Sequence, residues 1–122
     1  MELNLKTTKN MINIAIALFA LSAVLGLTIL VQWLTKKDAP KGVIYSHGLA
    51  AAIALGILVI FAIQHPDNFP KISIALFVIA ALGGFYMFFN DLKKKASPLA
   101  IAFVHALLAV SGFVALLLFA FA

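Results

Sequence analysis

The chain of 122 residues has no cysteine, and all nine of its basic residues are lysine, so arginine is missing as well. Without thiols, this chain alone cannot form disulfides, iron–sulfur clusters, thiolate zinc sites or cysteine nucleophiles. Without guanidinium groups it cannot clamp a carboxylate or phosphate in a bidentate fork, and is left with point charges. Acidic residues are also few: Glu2, Asp38, Asp67 and Asp91 are the whole set, and each lies outside the long apolar runs. That excludes paired-carboxylate hydrolysis and an acidic proton relay within a membrane. Charged residues make up 11% of the chain against 65% hydrophobic ones, far from the mixture of an ordinary soluble domain. The lysines sit in short clusters at the ends of apolar segments, where anionic lipid is the expected partner and nucleic acid is not.

What is present is four apolar runs, at 11–34, 42–64, 70–90 and 97–122. Each reaches the roughly 20 residues a helix needs to cross a bilayer, and in lipid such runs must be helical because open strand edges leave backbone groups unsatisfied. The fold class expected is therefore all-α, a single integral membrane domain. Short connections containing Pro40, Pro66 and Pro98 force antiparallel neighbours, an up-down-up-down four-helix bundle. Ser97 followed by Pro98 reads as an N-cap and first helical residue. The first run is too long for a signal-peptide core of about 7–15 residues, so that segment is expected to be retained. Lys36, Lys37, Lys41, Lys93, Lys94 and Lys95 flank the first and third connections, against Lys6, Lys9 and Lys71 on the opposite side. This bias puts those connections in the cytoplasm and both termini outside.

An internal repeat is the most informative pattern. A shift of 58 residues aligns 7–64 with 65–122 without a gap, matching Ala17/Ala75, Phe19/Phe77, Gly26/Gly84, Lys36/Lys94, Lys37/Lys95, Pro40/Pro98, His47/His105 and Ala51/Ala109. Greasy segments share letters by chance, but lysine pairs, prolines and histidines in one register are rarer. Each unit is one helical hairpin with an even number of spans, so the copies share an orientation and should be related by an axis along the membrane normal.

His47 and His105 each lie seven residues beyond the matched proline, about 10 Å along their helices. In a ring of four helices with neighbours about 8–10 Å apart, the second and fourth are diagonal, leaving a slot of roughly 11–14 Å. One bis-histidine haem is expected between them, with His47 and His105 as axial ligands of its iron. The clearance a flat ring requires would come from Gly26, Gly84, Ala51 and Ala109, and lysines at the slot's edge would meet the propionates. The carbonyls of Val43 and Ile101, one turn before each histidine, are the expected partners of the second ring nitrogens. From the residues alone the pair is also open to interhelical hydrogen bonding and, after that, to a metal-ion, proton or quinone site. His65, whose counterpart is Thr7, reads as a solvated loop residue.

With His47 in Tyr45-Ser46-His47-Gly48-Leu49 and His105 in Phe103-Val104-His105-Ala106-Leu107, the hairpins resemble small bacterial four-helix membrane proteins of the b-type cytochrome kind. That resemblance covers essentially the whole chain and implies haem b, electron transfer to or from a quinone or other redox partner, and a bacterial inner membrane. It implies at most one haem per chain, since one histidine pair lies within the apolar runs, and it assigns no enzymatic reaction. Two other functions stay open: an accessory or assembly subunit of a larger membrane complex, and a small transporter or channel with a histidine path for protons or metal. Small multidrug transporters are similar in length and helix count, but the membrane glutamate they rely on is missing, Glu2 being in the tail. The small-residue faces also leave a homo-oligomer open.

Overall fold

A computed structural model describes the backbone of residues 2–122 and the side chains from Leu5 onward. It is all-helical: α1 (Glu2–Leu34), α2 (Lys41–Gln64), α3 (Lys71–Leu92) and α4 (Leu99–Phe121). All four are long and apolar enough to cross a membrane. Their outer surfaces carry bare aliphatic and aromatic side chains, with Leu27 62%, Ile72 72% and Leu107 68% exposed. Such helices, apolar on every face, satisfy their backbone internally and are at home in hydrocarbon.

α1 is longer than its apolar run. It starts at Glu2 rather than near residue 11 and has 33 residues, about 50 Å of helix against a hydrocarbon thickness of about 30 Å. Hydropathy marks where lipid begins, whereas a helix continues until a breaker, and neither glycine nor proline occurs before Gly26. The start of α4 also differs from expectation. Pro98, with φ −59° and ψ 132°, is the capping residue and no side chain caps the helix. The Ser97 hydroxyl instead accepts a hydrogen bond from Asn90 Nδ2 at 3.2 Å.

α1 packs along α2 and α3 along α4, with sparser contact between α1 and α4 and between α2 and α3. The diagonal helices touch through side chains. Phe19 of α1 stacks on Phe77 of α3, ring centroids 3.8 Å apart and planes within 4°, and His47 of α2 meets His105 of α4. In both contacts the partners are 58 residues apart.

The same interval recurs in the backbone. Lys36 (φ 58°) and Lys94 (φ 56°) are the only described non-glycine residues with positive φ. Each ends its helix in a Schellman turn: Lys37 N–H donates to the Gln32 carbonyl and Lys95 N–H to the Asn90 carbonyl, both at 2.8 Å, while Lys36 and Lys94 donate to Trp33 and Asp91 at 3.0 Å. Glycine or asparagine is the usual occupant of that left-handed position, and a lysine there costs about 1–2 kcal/mol. The inward faces coincide too: Ala15 and Ser73, Leu58 and Leu116, Ile29 and Met87 are all buried.

Between them these residues form two apolar clusters along the bundle. One is built on Ile12, Ala15, Phe19, Ala54, Leu58, Phe61, Phe77 and Leu116; the other, toward the lysine-bearing connections, is Ile29, Ala39 and Ile44. In the first, the Phe77 ring lies on bare backbone, since a Cβ at Gly112 would come within 3.2 Å of it. The Ser73 hydroxyl donates to the Gly112 carbonyl at 2.8 Å, tying α3 to α4. Removing the ring should therefore open a void against both Phe19 and Gly112. We expect Phe77→Ala to lower stability by about 3–5 kcal/mol, read as a fall in the melting temperature of detergent-solubilised protein, whereas Phe85→Ala on the outer face should leave it nearly unchanged.

Candidate functional site

The histidine pair lies between the two apolar clusters, and both imidazoles are fixed in the same way. His47 Nδ1–H donates to the carbonyl of Ser22 on α1 at 2.7 Å, and His105 Nδ1–H donates to the carbonyl of Ala80 on α3, also at 2.7 Å. These carbonyls belong to the neighbouring helix, not to Val43 and Ile101. Val43 and Ile101 lie on each histidine's own helix, whereas a facing helix presents its carbonyl across the interface where the residue four positions further on carries no side chain.

Gly26 and Gly84 are those residues, four beyond Ser22 and Ala80. A Cβ on Gly26 would come 2.8 Å from His47 Cε1, and one on Gly84 would come 3.1 Å from His105 Cε1. The small-xxx-small spacing of α1 and α3 thus admits an imidazole to the backbone. Of the six sequence-selected site residues, His47, His105, Gly26 and Gly84 come together at one level. Ala51 and Ala109 are half-buried one turn further along, while the better-buried small residues of α2 are Ala50 and Ala54.

A carbonyl only accepts, so each Nδ1 carries the proton and each Nε2 is left with its lone pair. Neither Nε2 has a hydrogen-bond partner among the described residues. The ring centroids are 6.1 Å apart and the planes 74° from parallel. An Nδ1–H held on a backbone carbonyl is the arrangement that orients metal-ligating histidines and raises the basicity of the other nitrogen. No third histidine, carboxylate or thiol joins the pair to make a larger metal-binding group among the described residues.

The two halves of the site differ in detail. Ser22, buried, donates its hydroxyl to the His47 carbonyl at 3.0 Å; the matching position, Ala80, has no such group. On the other side, Gly83 stands where the first half has Leu25. An apolar groove of about 280 Å³ opens there, lined by Gly83, Ala100, Ile101, Val104 and His105 among others.

His65, far from the pair, has a structural role that the sequence reading missed. Its Nδ1–H donates to the Phe61 carbonyl at 3.1 Å, its Nε2 accepts from the Thr8 hydroxyl at 3.2 Å, and its ring stacks on Phe61 at 4.3 Å. It closes the end of α2 and ties that end to α1. The signal in the sequence was a histidine one turn after a phenylalanine at the point where a proline stops the helix.

No protein-family model, curated protein or solved structure matches the chain.

The glycine contact generates a direct test. Gly26→Ala should push the His47 ring off the Ser22 carbonyl and lower the melting temperature, with the Nδ1–H resonance of His47 shifted or lost in NMR. Gly48→Ala, where an added Cβ meets nothing within 4 Å, should do neither.

Proposed function

We propose that the chain is a membrane electron-transfer protein holding one b-type haem between α2 and α4, with His47 and His105 as the axial ligands. It would be built as two tandem hairpins running up-down-up-down, with connections 35–40 and 93–98 on the cytoplasmic side of a bacterial inner membrane and both termini outside. Support for the tandem arrangement comes from the geometry recurring 58 residues apart: the left-handed lysines, the Schellman turns and the two imidazole–carbonyl bonds.

The observation that carries the haem reading is the histidine pair: two imidazoles oriented through Nδ1 on backbone carbonyls, both Nε2 atoms free, centroids 6.1 Å apart. Haem iron is commonly held by histidine nitrogen, and His47 and His105 would each supply an Nε2 to it. Bound there, haem supplies a one-electron ferric–ferrous couple. The residues would act by holding both ligands in their Nδ1–H tautomer and by keeping water from the iron. Space for the macrocycle's rim is a separate demand. The clearance at Gly26 and Gly84 is taken up by the two imidazoles, so buried neighbours such as Phe19 and Phe77 would have to turn outward to admit the rim.

A proton or metal path is supported less well, because Phe19, Phe77, Leu58 and Leu116 fill the axis beyond the histidines. An accessory subunit would need the histidines only as interhelical ties. Protein purified in mild detergent from cells given a haem precursor separates these readings. We expect reduced-minus-oxidised spectra with sharp Soret and alpha bands at about one haem per chain, and loss of more than nine-tenths of that haem in His47→Ala and in His105→Ala. A featureless spectrum that persists after haem addition, or full haem retention in either variant, overturns the assignment.

A further inference from the structure

Where the two lysine-bearing connections meet, the bundle ends in a basin of about 780 Å³. Lys36, Lys37, Lys41, Lys94 and Lys95 line it, with Asp38 and Asp91. Lys41 pairs with Asp91 across the α2–α3 boundary, so that carboxylate is already engaged. Four ammonium groups and one carboxylate remain around a single concavity, and no carboxylate lies within ion-pair reach of those four among the described residues. Trp33 and the buried Met87 also line it.

Lysines at the cytoplasmic ends of helices serve topology wherever they stand in a connection. Lys36 and Lys94 do more than that requires, because both occupy left-handed positions that glycine or asparagine fills at lower cost. The strained conformation is kept in both halves of the chain, and both residues line the basin. An ammonium at that place, rather than somewhere nearby, is what the arrangement preserves.

We propose that this basin is a binding site for a phosphate group, held from opposite sides by Lys36 and Lys94 with Lys37 and Lys95 beside them. Lysine binds phosphate as a point charge with three rotatable donors, which suits a tetrahedral anion, whereas a planar carboxylate is better met by the guanidinium fork this chain lacks. The basin lies at the depth where lipid headgroups sit, and basic pockets between helices on that side hold phosphorylated headgroups. The phosphate is either that of an anionic lipid or a free one. Nothing in the inference requires the histidine pair to hold haem.

Trp33, the single tryptophan, lines the basin and reports on it. The full chain in neutral detergent is titrated with inorganic phosphate and, separately, with phosphatidylglycerol mixed into the micelles, while Trp33 emission is followed. A saturable change is expected in at least one titration: with inorganic phosphate it identifies a free-phosphate site, with phosphatidylglycerol alone a headgroup site. The double variant Lys36→Gly with Lys94→Gly removes both ammonium groups while leaving the left-handed turns at ease, so it should keep or raise the melting temperature and weaken binding at least tenfold. Should that variant fail to fold, Lys37→Gln with Lys95→Gln serves in its place and should weaken binding severalfold. Removing Lys71 and Lys93, which subtracts the same charge outside the basin lining, should change binding less than twofold. Emission that never saturates in either titration, or equal weakening by the Lys71 and Lys93 pair, overturns the proposal.

Discussion

An imidazole in hydrocarbon must place its N–H on an acceptor, and a glycine one turn beyond a backbone carbonyl lets a ring come close enough to use that carbonyl. The middle of this bundle is arranged around that constraint. His47 reaches the Ser22 carbonyl over Gly26, and His105 reaches the Ala80 carbonyl over Gly84. Each bond joins two helices consecutive in sequence, so it fixes their depth and rotation relative to each other as well as satisfying the donor. Unsatisfied, a buried polar group of this kind costs several times what the bond itself contributes. Glycine at 26 and 84 is thus required by the histidine, and the close packing of α1 on α2 and of α3 on α4 goes with it.

A second consequence is chemical. Because both N–H groups are spent on carbonyls, both Nε2 atoms keep their lone pairs, with the ring centroids 6.1 Å apart. The tautomer and position of each ring are in this sense set by the backbone of the neighbouring helix. Ser22 adds a further tie to the His47 carbonyl where Ala80 adds none, and Gly83 opens a groove beside His105 where Leu25 stands in the first half. The two histidines are alike in tautomer and unlike in surroundings.

Much of this was legible in the letters. The four helices follow from the length of the apolar runs, and the pairing of His47 with His105 follows from the interval of 58. The same interval contained the Phe19/Phe77 match, yet one phenylalanine pair among many apolar identities gave no reason to place those rings in contact. The carbonyl partners were sought on each histidine's own helix, because sequence spacing speaks of one helix at a time and says nothing of which carbonyl a neighbour uncovers. The glycines carried the missing information, but clearance for a cofactor and clearance for an imidazole look the same in one dimension. Lys36 and Lys94 were legible as topology signals and as cations at the edge of the slot, not as left-handed residues. Nothing in a lysine marks a left-handed residue, and the Schellman turn is fixed by the helix end and the proline that follows.

The bundle is also polarised along its length. From the histidine level, Leu58 lies eleven residues further along α2, about 16 Å, and between them the axis is filled by the stacked phenylalanines and the buried Ala54, with Leu58 and Leu116 behind. In the other direction Lys41 is only six residues away, about 9 Å, and the buried Ile29, Ile44 and Met87 lie between that level and a basin lined with ammonium groups. The histidine pair thus lies nearer in sequence register to the electropositive end of the bundle than to the other. A partner carrying negative charge would be drawn to that end by the field of the lysines. At the opposite end His65 stacks on Phe61 and accepts from Thr8, tying α2 to α1.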